Sequence, residues 1–147
     1  MAARLQLLAV AFYSSFSAES TRLPASYSGA SEMITVDDVR ELALSLPRVT
    51  EAYVYGRVKF RVGQIVWLAF SRDETVLGFA FPKEWREALV ATEPDKFQLP
   101  GESDLRFNWA EVRLDAIEWE ELRDLVIDAW SMVVPKYVSA PYAERDS

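Results

Sequence analysis

Between Arg57 and Phe81 the chain alternates apolar segments with short polar breaks. In Arg57–Val62, Arg57, Lys59 and Arg61 fall on one side and Val58, Phe60 and Val62 on the other. That period of two belongs to a half-buried strand. Gly63-Gln64 marks a turn, because glycine accepts the positive φ a hairpin needs. Ile65–Phe70 and Thr75–Phe81 are apolar and rich in β-branched and aromatic residues, with the polar loop Ser71–Glu74 between them. The stretch therefore predicts three antiparallel strands.

Which side chains share a face depends on the hairpin, since a one-residue slip inverts every position beyond it. A two-residue loop sets Ile65, Trp67 and Ala69 beside Phe60. A three-residue loop sets Val66, Leu68 and Phe70 there. The second gathers the larger apolar face, with Val58, Phe60, Val62, Val66, Leu68, Phe70, Leu77, Phe79 and Phe81, and is the expectation adopted. Arg57, Lys59, Arg61, Trp67, Ala69, Val76, Gly78 and Ala80 then form an opposite face that is shallow and rimmed with positive charge.

Helical periodicity appears on both sides of this sheet. Val36, Val39, Leu42, Ala43 and Leu46 form one stripe, opened by a Thr35 cap with Asp37 and Asp38 in the first turn and stopped by Pro47. Asp37, Asp38 and Glu41 read as capping and solvated-face residues rather than a metal site, because no cluster of closely spaced oxygen ligands accompanies them. Pro82 opens a second helix over Lys83–Thr92, with Trp85, Leu89 and Val90 inward. Asp95–Asp104 reads as a loop around Pro100-Gly101. Leu105–Leu114 reads as a strand with Ala110, Val112 and Leu114 on one side and Trp109, Glu111 and Arg113 on the other. The longest helix is expected over Glu118–Val134, ended by Pro135.

Composition narrows the chemistry. The chain has 147 residues, half of them hydrophobic, enough for one domain with a core. It carries a net charge of −7, which weakens any global attraction to nucleic acid or anionic membrane. It has no cysteine and no histidine. Thiolate nucleophiles, disulfides and thiolate or imidazole metal ligands are therefore absent, as is the commonest general base. No nucleophile-elbow, phosphate-loop or dinucleotide pattern occurs. The expectation is a non-enzyme without metal or cofactor. Residues 1–32 read as an extension, either a weak signal-like segment around Leu5–Phe12 or the product of an upstream start, and as dispensable for folding. The domain is expected over residues 33–137, with a tail over 138–147. The Leu5–Phe12 run is too short to span a membrane, so no membrane association and a cytoplasmic location are expected.

The order of these features carries a resemblance. The helix over Thr35–Leu46 with Pro47, then Tyr55-Gly56-Arg57-Val58-Lys59-Phe60-Arg61-Val62-Gly63, then Phe81-Pro82, Trp109 with Val112 and Leu114, and the closing Ala129-Trp130 and Val134-Pro135-Lys136, resemble the MmcQ/YjbR family of small bacterial proteins. The likeness spans about residues 33–137. It rests on order and spacing rather than on any one motif. It implies a CyaY-like α+β fold, an antiparallel sheet with helices packed on one face, in members that begin where Met33 stands. It also implies DNA binding, by likeness to a double-wing DNA-binding domain, which is a fold analogy.

The open face is where function is expected. Arg57, Lys59 and Arg61 recur at ~6.6 Å intervals, so they form a row that meets phosphates. Trp67 or Trp109 offers a surface on which a base stacks, and Arg113 lies on the same side as Trp109. The alternative is a partner module: Trp67, Val76, Gly78 and Ala80 make an apolar patch beside the cations, suited to a small molecule, a protein partner or a second copy of the chain.

Overall fold

The structure is a computed structural model that describes residues 33–146; residues 1–32, the expected extension, lie outside the described residues. Helix α1 (Val36–Ser45) starts at the expected cap. The Asp38 amide donates to the Thr35 hydroxyl and the Thr35 amide to the Asp38 carboxylate, at 3.2 and 3.0 Å. This reciprocal box satisfies two of the amides that a helix start leaves unpaired. Arg40 on α1 bonds Asp37 and reaches Glu51 on the first strand at 2.9 Å.

Strand β1 (Val49–Val54) lies ahead of the three strands that the alternation predicts. It joins β2 (Arg57–Val62) through a two-residue turn in which Tyr55 and Gly56 have φ of 53° and 78°. Positive φ at both positions matches the right-handed twist of the flanking strands. Strands β3 (Ile65–Phe70) and β4 (Val76–Ala80) follow as the alternation predicts. Asp73 organises their loop: its carboxylate accepts from the Ser71 hydroxyl, the Thr75 amide and the Thr75 hydroxyl.

Helix α2 (Lys83–Thr92) occupies its expected residues. The stretch expected as a loop contains a two-residue strand, β5 (Phe97–Gln98). Strand β6 (Trp109–Arg113) is shorter than the expected Leu105–Leu114 because Leu105–Asn108 turn. Helix α3 (Trp119–Ser131) ends before the expected Val134. Beyond Pro135, α4 (Lys136–Ser139) and a 3-10 segment (Ala140–Asp146) follow, and the Tyr142 ring packs edge-on against Trp130 at 4.9 Å.

All pairings are antiparallel, in the order β1-β2-β3-β4-β6-β5. Val39 and Ala43 of α1, Leu89 of α2 and Leu122, Val126 and Trp130 of α3 join Phe60, Leu68, Phe70, Leu77, Phe79 and Val112 in one core. Phe60 and Trp130 are both fully enclosed. The Trp130 indole N–H donates to the Pro47 carbonyl at 3.0 Å, so the aromatic that closes the core keeps its polar edge satisfied.

The hairpin combines the two alternatives. Val62 pairs with Ile65 across a two-residue turn, but further in Phe60 pairs with Leu68 and Lys59 with Ala69, the parity of the longer loop. The register shifts between Phe60 and Arg61, leaving Trp67 as an extra residue on β3. A bulge of this kind bends its strand and re-aims side chains. Trp67 accordingly belongs to the core cluster and is fully enclosed, which corrects the expectation that it stands on the open face.

One charged cluster is buried. Lys96 donates to Glu93 and Glu121, both at 2.6 Å. Burial pulls the Lys96 ammonium down, yet its two carboxylate partners outweigh that and hold it above the ordinary lysine value. Burial pushes the Glu121 carboxyl up, and Lys96 opposes this only in part.

Candidate nucleic-acid interface

Cross-strand pairing fixes the composition of the open face. One row runs Ala52, Lys59, Ala69, Gly78, Glu111 and Gln98. Its centre is made of alanine and glycine, so the sheet surface there is shallow, and Ala69, Gly78 and the adjacent Ala80 are buried rather than part of the exposed apolar patch that was expected. Ala80 and Trp109 pair in the neighbouring row. Trp109 does not stand upright: a Cβ on Gly78 would lie 2.6 Å from its Nε1 and Cζ2 atoms. The indole therefore leans across β4 into space that only glycine leaves open. It is half-buried.

Beside Trp109 lies a cleft of about 430 Å³. Arg57, Lys59, Ala69 and Ala80 line it from the sheet, and Asp104, Phe107 and Asn108 line it from the loop before β6. It runs on past Ile65 and Val66 to Met132 and Val133, just after α3. The cleft thus reaches the end of the long helix, whereas parity alone puts the whole face on the far side of the sheet. The bulge at Trp67 is the local departure from that parity.

Of the expected contact residues, the structure brings Arg57, Lys59 and Trp109 together in this cleft. Arg57, Lys59 and Arg61 are half-buried rather than open. Arg57 spends its Nε–H on the Phe70 carbonyl at 3.0 Å and lines the cleft. Among the described residues the Lys59 ammonium has no hydrogen-bond or ion-pair partner. Arg61 continues the row on β2, opposite Thr50 and Val66, and its Nε is enclosed without a partner. Arg113 is drawn to the Pro94 and Asp95 carbonyls at 3.3 and 2.8 Å and stands apart from the cleft. Trp67 is in the core.

The rim loop was missed as a contributor, and so was the residue that holds it. Arg86 on α2 is buried, 7% exposed, and donates to the carbonyls of Leu105, Phe107 and Trp109 at 2.7, 3.0 and 2.9 Å. Its planar fork matches several acceptors at once. Lys83 adds a bond from its ammonium to the Arg106 carbonyl at 2.9 Å. Its amide donates to the Asn108 side-chain oxygen at 3.0 Å. The Arg106 guanidinium lies 4.7 Å from the Phe107 ring centre, and Phe107 is half exposed. No sequence motif marks Arg86; a lone arginine on a helix whose other inward positions are apolar is the only trace.

Residues 44–132 match the YjbR family model. The chain belongs to the YjbR family. Its YjbR fold is similar to the crystal structure of the Deinococcus radiodurans protein DR2400, a domain of the DUF419 family. The two are 23% identical and superpose with a TM-score of 0.61 over 78% of this chain and 92% of that one. No curated protein matches the chain. The likeness shows a shared α+β architecture, as the resemblance of the YjbR sequence pattern implied. Among the described residues of this YjbR chain, no helix is long and apolar enough to cross a membrane.

Proposed function

We propose that the open face binds single-stranded nucleic acid, with Lys59, Arg57 and Arg61 meeting phosphates and Trp109 stacking on a base. The observation that carries this reading is the placement of an unpartnered Lys59 and a leaning Trp109 in one cleft. A sheet-borne aromatic beside cations takes an unstacked base, which favours single strands over duplex. The chain is acidic overall, so the attraction is local to the β2 row and does not come from the molecule's net field. In this reading the domain binds without covalent chemistry and works in the cytoplasm. Asp104 at the far side of the cleft repels phosphate and orients the strand with its backbone over β2.

The test is fluorescence anisotropy with a labelled mixed-sequence 12-nucleotide DNA at two salt concentrations. Wild type should bind with a salt slope that drops by about 2 units in the Arg57→Ser/Lys59→Ser/Arg61→Ser variant, since each phosphate contact on a single strand contributes ~0.7. No binding by wild type at low salt, or equal binding by the variant, defeats the reading. The cleft's volume supports a second one, a small anionic ligand at the same cations, because pockets of ~300–1,000 Å³ hold such molecules. A ligand soak that raises the melting temperature while DNA does not bind would favour it.

A further inference from the structure

The loop before β6 brings hydrogen-bonding groups as well as aromatics to the cleft. Asp104 ends a short 3-10 turn, and its carbonyl accepts from the Phe107 amide at 3.0 Å, so the chain doubles back there. Asp104 lines the cleft, and its carboxylate makes no hydrogen bond among the described residues. Asn108 lines it too. Because the Asn108 oxygen accepts from the Lys83 amide, its orientation is set by that bond, and the NH2 group is the part left to donate. Phe107 and Trp109 line the same cleft. The site therefore offers one acceptor-only carboxylate and one amide donor beside two rings.

We infer that this end of the cleft is a guanine-selective base pocket, an inference that rests on the nucleic-acid reading above. Guanine presents two adjacent N–H donors, N1 and N2, and next to them the O6 acceptor. Both carboxylate oxygens of Asp104 accept the two donors, and the Asn108 amide donates to O6. Adenine and cytosine bring one amino group next to a ring acceptor, and thymine or uracil brings one ring N–H between two carbonyls. None of these satisfies both carboxylate oxygens. Single-stranded bases are read on this edge while stacked on aromatic side chains. The cations sit three strands away on β2, about 14 Å at the usual strand spacing, so base and phosphate are recognised at opposite ends. Arg86 and Lys83 clamp the loop, which keeps the reading groups in place before the ligand arrives.

The experiment measures anisotropy of labelled nine-nucleotide DNAs, all thymidine except for a central guanine, hypoxanthine, adenine, cytosine or thymine. Wild type should bind the guanine strand about tenfold more tightly than the thymine strand, within the range of a bidentate base contact. Hypoxanthine, which lacks the N2 amine, should lose most of that preference. Asp104→Asn should bring the guanine-strand and thymine-strand affinities to the same value, with its melting temperature checked by circular dichroism. Wild-type binding to all strands with no guanine preference overturns the inference and leaves the nucleic-acid reading standing. A guanine ratio unchanged in Asp104→Asn overturns it as well. Failure of every strand to bind overturns both.

Discussion

Substituting Gly78 by alanine isolates the contact that lays Trp109 over the sheet. The added Cβ would meet three indole atoms at 2.6 to 2.7 Å. Carbon contacts settle near ~3.5–4.0 Å, so the ring has to retreat by about 1 Å. Forced overpacking costs ~1–3 kcal/mol. Replacing glycine also removes unfolded-chain freedom, which contributes ~0.4–1 kcal/mol in the other direction where the native backbone accepts alanine. Gly78 is not among the glycines with positive φ, so that gain applies. Gly78→Ala should therefore destabilise by about 1.3 kcal/mol. In a Trp109→Ala background the obstacle is gone, and the same change should stabilise by about 0.7 kcal/mol. The coupling of about 2 kcal/mol is large for a double-mutant cycle and is read from urea midpoints of the four proteins. An equal Gly78→Ala effect in both backgrounds would refute the assigned cause. Displacement of the ring should also weaken nucleic-acid binding by Gly78→Ala, measured by the same anisotropy assay.

Other outcomes follow from the core and the buried charges. Phe60→Ala and Trp130→Ala should each cost ~3–5 kcal/mol in urea unfolding, because both side chains are fully enclosed in one cluster. Lys96→Met should cost ~3–5 kcal/mol by leaving two buried carboxylates facing each other, while Glu121→Gln, which leaves Lys96 with Glu93, should be close to neutral. The pH dependence has a definite sign: burial holds the Glu121 carboxyl above its ordinary 4.5, so the folded state binds that proton more tightly than the unfolded chain. Its contribution to stability therefore improves as pH falls through the raised value toward 4.5, and any advantage of Glu121→Gln seen at neutral pH should shrink over that window in paired unfolding curves. Arg86→Met should leave the Leu105, Phe107 and Trp109 carbonyls without their donor, and faster amide exchange across residues 105–109 should report it before global stability falls far.

Elements with one dry and one wet side were legible from the pattern alone. Strands β2 to β4 and the first two helices fall where alternation, caps and prolines place them. Strand β1 was not, because the positions it turns toward the core side are Val49, Glu51 and Tyr53, and Glu51 reads as solvent-facing until Arg40 is seen to pair with it. Trp67 was misplaced by a backbone irregularity: alternation assumes a regular ladder, and nothing in Ile65–Phe70 announces a bulge. Part of the candidate site, Arg57, Lys59 and Trp109, follows from parity. Asp104, Phe107 and Asn108 do not, since Phe107 and Asn108 lie in a stretch whose composition reads as strand. Their geometry depends on Arg86, about 20 residues earlier in the chain, a tertiary bond with no local signature.

The two margins of the sheet differ in a way that bears on self-association. At one margin β1 presents six residues that, among the described residues, pair only with β2; at the other β5 is two residues long. An unpaired edge of six residues is a template for another strand, and a stub of two is not. Two copies meeting through β1 about a two-fold axis would bury both templates and leave only blunt margins outside. Growth by edge addition would then stop at a pair, so crowding of the folded protein should yield a closed species rather than a fibre.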